Sequence, residues 1–192
     1  MEKVLCKNEW VSLKSKGDGS VYSHEERCQG QIIAFLAFIR GNQNKVGVRF
    51  EYCPPWVPGE TDRTPLPCSF TGGVDKGETP DEACFREAVE EAGIDNPQAE
   101  FHFLGEIRSI KSSDTVYSLY AVVCDEEDLK ESTEGDGSQA EAEAKNVIMS
   151  FDEALEQLVD PLGLAILAKS LTKNELWGSG SQWVGDPEGS QE

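Results

Sequence analysis

The chain has 192 residues, enough for one domain with a buried core and some decoration. It carries 36 acidic side chains against 17 basic ones, a formal net charge of −19. That balance argues against binding long nucleic acid, which rests on Lys and Arg neutralising phosphates, and against an anionic membrane, for which no polybasic segment is present.

Further exclusions follow from pattern. The longest apolar run, Ile32 to Ile39, is too short to span a bilayer. The opening MEKVLCKNEW is charged throughout and lacks the apolar stretch of a secretory signal. Cysteines stand at 6, 28, 53, 68, 84 and 124 with no CxxC pair, and His24 and His102 do not fall at zinc-finger spacing. Reduced thiols in a cytoplasmic protein are the expectation.

In chain order, residues 1–28 read as an N-terminal β extension. Within it, 3–14 and 20–24 alternate as short strands around a Lys-Gly-Asp-Gly turn. Gln31 to Ile39 predicts a strand buried on both faces, and Lys45 to Tyr52 predicts its neighbour across the Gly41–Asn44 turn. Five prolines in 53–67 predict an irregular loop.

The stretch GGVDKGETPDEACFREAVEEAGI, residues 72–94, is the most informative. Thr79 predicts a helix N-cap, Pro80 suits the first helical position and Glu82 completes a capping box. Gly93 predicts the helix end. Glu87, Glu90 and Glu91 then share one helical face at i, i+3 and i+4. Like charges that close repel unless a cation sits among them. With oxygen donors alone, a hard divalent ion is expected, Mg²⁺ before Zn²⁺. Arg86, four residues before Glu90 and four after Glu82, can bridge these carboxylates, and Glu78 is a further partner for it.

Beyond the helix, Phe101 to Ile110 and Thr115 to Cys124 predict a strand pair around a Lys-Ser-Ser-Asp turn. Asp125 to Glu143 is a long acidic loop with one lysine, Lys130, and is expected to be mobile. Val147 to Ser150 predicts a short strand. Ser150 and Glu153 form a second capping box for a helix over 151–159, and Leu162 to Leu171 predicts a last helix. Residues 173–192 read as a tail, whose Trp177 and Trp183 could dock on the domain or on a second subunit.

The 72–94 stretch matches G-x5-E-x7-R-E-U-x-E-E-x-G-U at Gly72, Glu78, Arg86, Glu87, Ala88, Glu90, Glu91, Gly93 and Ile94. It resembles the signature of the Nudix hydrolases. The resemblance implies an α/β fold: a Nudix α/β/α sandwich with a mixed β-sheet over residues 29–172, carrying the N-terminal β extension. It also implies hydrolysis of the pyrophosphate linkage in a nucleoside diphosphate joined to a moiety X. By position, Glu87, Glu90 and Glu91 would ligate Mg²⁺ or Mn²⁺, the Gly72–Gly73 backbone would add a carbonyl, and Glu78 and Arg86 would orient the site.

The match does not name the substrate. In members that resemble ADP-ribose pyrophosphatase the general base lies on a late loop, which makes Glu134, Glu141 and Glu143 candidates, with Glu91 competing from inside the box. The stretch VGVRFEYCPPW, Val46 to Trp56, loosely resembles the strand before the box in those members. There Arg49 and Glu51 could meet a ribose or phosphate, and an adenine could stack on Tyr52 or Trp56. SFDEALEQL is similar to that subfamily too. Ser109, however, stands where many ADP-ribose members carry a proline. The tyrosine placement of dinucleoside polyphosphate hydrolases and the SQPWPFPxS array of NADH members are also missing.

A small nucleotide is the expected partner, with a homodimer as a further expectation. The alternatives are a nucleoside triphosphate pyrophosphohydrolase and a non-catalytic nucleotide sensor. The sensor class usually shows eroded box carboxylates, whereas all of them stand here.

Overall fold

The structure, a computed structural model, describes residues 2–42, 44–57, 63–133, 143–173 and 176. Its centre is the strand the sequence marks most clearly. β4 (Gln31–Ile39) lies parallel to β9 (Val116–Cys124), in register from Gln31↔Val116 to Ile39↔Cys124. β5 (Lys45–Glu51), β6 (Leu66–Cys68), β7 (Phe70–Gly73), β8 (Glu100–Ile107) and β10 (Lys145–Ser150) complete a seven-stranded mixed sheet. Its main order is β10-β5-β4-β9-β8, with β6 beside β5 and β7 beside β4.

The alternation of β4 sorts its side chains into two cores. Ala34, Leu36 and Phe38 pack with Phe151 and Ala154 of α2 (Phe151–Gln157) and Ile166 and Leu167 of α3 (Pro161–Ser170). Ile33, Phe35, Ala37 and Ile39 pack on the other side with Ala83, Cys84 and Ala88 of α1 (Pro80–Glu90). The α1 contact is made by small residues, so the helix backbone approaches the sheet closely. Phe35 stacks on Phe70 at 4.6 Å between ring centres, tying β7 to the same core. Helices therefore cover both sheet faces, as the apolar run predicts.

One edge of β4 changes partner along its length. Ile32 to Phe35 pair with β7, whereas Ala37 and Phe38 pair with β5. β5 then runs on beyond β4 and pairs with β6. This fork brings the approach to α1 and the outer half of β5 to the same region.

The N-terminal extension is a separate antiparallel sheet of β1 (Lys3–Lys7), β2 (Val11–Ser15) and β3 (Val21–Glu25). The predicted turn joins β2 to β3, with Gly19 at φ +88. The predicted strand 3–14 is in fact two strands, because the Asn8 side chain accepts from the Trp10 and Val11 amides and folds the chain back. Ser23 pairs with Ser112 and Asp114 of the β8–β9 loop, and His24 Nδ1 lies 3.0 Å from the Asp114 carboxylate.

Several predicted bounds shift. The loop 53–67 contains a 3₁₀ turn at Pro54–Trp56 and gives its last residues to β6. β8 stops at Ile107 and α2 at Gln157. The acidic stretch begins as a bonded segment rather than a free loop. Asp125 and Asp128 cap a 3₁₀ turn, Asn96 donates to Asp128, Lys130 N donates to Ala92 O, and Asn146 N donates to Glu131 O. Residues 134–142, like Trp177 and Trp183, lie outside the described residues. No helix among the described residues is long and apolar enough to cross a membrane.

Candidate active site

Local chemistry starts α1 as the sequence predicts. Thr79 Oγ1 accepts from Glu82 N, and the Glu82 carboxylate accepts from Thr79 N and Oγ1 at 2.8 Å. Glu82 is thereby engaged with the cap, and it is Glu78 that pairs with Arg86. Gly93, at φ +71, ends the helix, and Ile94 N reaches back to Ala88 O.

Arg86 gathers the other carboxylates. It grips Glu78 through two bonds of 3.0 and 3.1 Å, donates to the Gly73 carbonyl at 2.9 Å, and reaches Glu87 at 2.6 Å and Glu90 at 3.2 Å. The guanidinium holds the Glu78 carboxyl below the usual range, chiefly through its hydrogen bonds. The planar fork makes five bonds here, more than the three donors of a lysine would allow.

Glu87 is buried against Gly72. A Cβ at Gly72 would sit 1.9 Å from Glu87 Oε1 and 2.3 Å from its Cγ, so this glycine is required by close approach rather than by backbone angle. The result is a set of oxygen donors from Glu87, Glu90 and the adjoining β7 backbone. Those donors fit a hard divalent cation.

Glu91 lies at the other end of the helix and is also buried. Its carbonyl accepts from Arg49 Nη1 at 3.1 Å, Asn146 Nδ2 at 2.7 Å and Thr133 Oγ1 at 3.2 Å. Its carboxylate lies 3.7 Å from Arg49 Nη2. Arg49 is 2% exposed and also pairs with Glu51 at 3.1 Å. A buried cation at a helix C-terminus meets the partial negative charge of the last carbonyls. The Arg49 of the sequence reading is thus turned to the box helix, with Glu51 behind it.

The remaining candidates divide. Arg63 lies over the Tyr52 ring at 4.6 Å and pairs with Glu143 at 3.1 Å, so two residues predicted separately are joined through a third. Trp56, on the 3₁₀ turn, is 49% exposed and presents an open aromatic face. Glu134 and Glu141 lie outside the described residues.

Sequence reasoning missed Thr133 and Asn146, whose roles depend on long-range folding and leave no local signal. It also missed the buried Asp160, which accepts from Ser69 N, Ser69 Oγ and Gly163 N and so locks the β6–β7 junction to α3. Asp followed by Pro161 at a helix start was a readable cap signal.

The Nudix domain family model matches residues 32–169, most of the chain and the whole of this site. The chain belongs to the Nudix family. A crystal structure of an ADP compounds hydrolase is similar to it with a TM-score of 0.62 and 15% sequence identity, covering 93% of this chain and 94% of that one. At that identity the likeness speaks for the fold. A comparison with curated proteins finds no match. As a member of that family the chain is a pyrophosphohydrolase, and Arg86 holds Glu78, Glu87 and Glu90 of its box.

Proposed function

We propose that this Nudix hydrolase cuts between the two phosphorus atoms of ADP-ribose or a related nucleotide sugar, releasing a nucleoside monophosphate and phosphorylated X. The observation that carries the reading is the pair Glu87 and Glu90 gathered with Glu78 around Arg86, Glu87 being packed on Gly72. Glu87, Glu90, Glu91 and the Gly72 carbonyl would hold Mg²⁺ or Mn²⁺. When bound, that cation neutralises the diphosphate and acidifies a water.

The chain's own residues do the rest. Arg86 and Glu78 fix the rotamers of Glu87 and Glu90. Arg49, Asn146 and Thr133 fix the end of the helix, and with it Glu91. Glu91 is the favoured acceptor of the attacking water's proton, because it stands inside the box. Glu143, held by Arg63, is the competing base, and Glu134 and Glu141 complete the set to be tested by Gln substitution. Trp56 offers its exposed ring to the base of the nucleotide, while Arg49 and Glu51 act by positioning the box.

The N-terminal sheet leaves Val4, Leu5, Trp10, Val11, Leu13 and Val21 exposed. Such an apolar surface supports a homodimer, which sedimentation of the wild type against Leu13→Asp would test. The six cysteines are free thiols, in keeping with a reducing cytoplasm.

Phosphorus NMR of the products tests the reading. ADP-ribose with Mg²⁺ should yield two monophosphates and no pyrophosphate. Efficient pyrophosphate release from nucleoside triphosphates, with ADP-ribose and nucleotide sugars untouched, would replace it with triphosphate pyrophosphohydrolysis. No turnover on any nucleotide would favour the sensor.

A further inference from the structure

β6 pairs with the outer half of β5, setting Cys68 opposite Arg49 and Leu66 opposite Glu51. Cys53 lies two residues beyond Glu51, where the chain leaves the strand. One Glu51 carboxylate oxygen, Cys53 Sγ and Cys68 Sγ all lie within 4.8 Å of one another. Both thiols are free, Cys68 buried and Cys53 half-buried.

The three groups already point at one another. Arg49 Nε donates to Glu51 Oε2 at 3.1 Å, leaving Oε1 turned to Cys53 Sγ at 3.8 Å. Cys68 Sγ donates to the Arg49 carbonyl at 3.4 Å. Asp160 adds negative charge to the surroundings of both thiols. Two thiols and a carboxylate oxygen therefore converge in a region of negative charge.

We propose that Glu51, Cys53 and Cys68 form a second metal site, separate from the Nudix box, that takes Zn²⁺. Two sulfurs and one oxygen suit a thiophilic ion and not Mg²⁺. A tetrahedral zinc with Zn–S near about 2.3 Å holds its ligand atoms roughly 3.5–3.8 Å apart, so the site closes by about 1.3 Å at most. Water completes the fourth position. Binding releases both thiol protons to solvent. The box, with oxygen donors only, and this site would thus sort two metals within one chain.

The consequence for the enzyme runs through Arg49. Its Nε bonds Glu51, while Nη1 and Nη2 face the carbonyl and carboxylate of Glu91. Zinc on Glu51 and the thiols joins β5 to β6 and fixes the residue that orients Arg49, much as outer-shell partners fix a ligand.

Cobalt(II) is the probe, added to the reduced, metal-stripped full-length protein with excess Mg²⁺ present. One equivalent should produce thiolate-to-cobalt charge-transfer absorption, which one equivalent of Zn²⁺ removes. The band should persist in Glu90→Gln and vanish in Cys53→Ala and Cys68→Ser. Cys53 is partly exposed, so its variant decides the matter if the Cys68 variant does not fold. Zn²⁺ should also slow alkylation of Cys53 in the wild type by about tenfold or more. Absence of the band, or its survival in Cys53→Ala, overturns the site. So does a Cys53–Cys68 disulfide that forms under peroxide at the same rate with and without Zn²⁺, which would make the pair a redox element instead.

Discussion

The two ends of α1 are built by different means. At the N-terminal end, Thr79, Pro80 and Glu82 satisfy the first turn from within four consecutive residues. At the C-terminal end, the Glu91 carbonyl draws donors from Arg49 on β5, Thr133 within the acidic segment and Asn146 on β10. The first end is a local device that could start a helix anywhere. The second exists only when three distant segments have already met, and it is the end that carries Glu91. The helix is nucleated locally and aimed globally.

Substitutions at the two ends should therefore separate. Glu91→Gln keeps the side-chain shape, and Arg49 keeps Glu51, so the fold should survive. Activity should fall roughly 10²–10⁴-fold in kcat, several kcal/mol of transition-state stabilisation. Near wild-type turnover with an unchanged Tm would remove Glu91 from the machinery.

Arg49→Met strips the distal end of its buried cation and leaves Glu51 and Glu91 without it. A loss of about 3–5 kcal/mol is expected by urea unfolding, as when one member of a buried pair is removed. A loss under about 1 kcal/mol would mean that Asn146 and Thr133 suffice to hold the helix end. Thr79→Ala should cost about 1 kcal/mol and leave kcat as it was. A fall in kcat there would mean that the two ends are coupled.

The smallest effect is one of pH. The Glu78 carboxyl is held low in the folded state by Arg86, against an ordinary value of 4.5. Its stabilisation is fully present above the unfolded value and is lost as pH falls through the folded one. Glu78→Gln should therefore flatten the acid side of the stability curve below about pH 4.5. A curve parallel to the wild type would show that the pair contributes nothing there.

What could be read in advance follows the same division. The capping boxes at Thr79 and Ser150 were legible because their partners lie three residues apart. The role of Arg86 was legible because helical spacing places Glu90 beside it. β4 declared its burial through a continuous apolar run. By contrast, Arg49 could be singled out but not aimed, since its partner Glu91 stands 42 positions away and is reached only through the β4–β5 pairing. The meeting of Cys53 and Cys68 depends on β6 forming inside a proline-rich loop that reads as irregular. The acidic segment looked unable to order itself, but Asn96, Ala92 and Asn146 supply its bonds from outside.

The central claim is that the Glu87–Glu90–Glu91 face binds the cation on which activity depends. Binding of Mn²⁺, followed by electron paramagnetic resonance, tests it without reference to any substrate. Wild-type protein should remove free Mn²⁺ from solution, and the double variant Glu90→Gln with Glu91→Gln should lose that binding while unfolding at a comparable temperature. Full Mn²⁺ binding in the double variant would contradict the account and place the cation elsewhere.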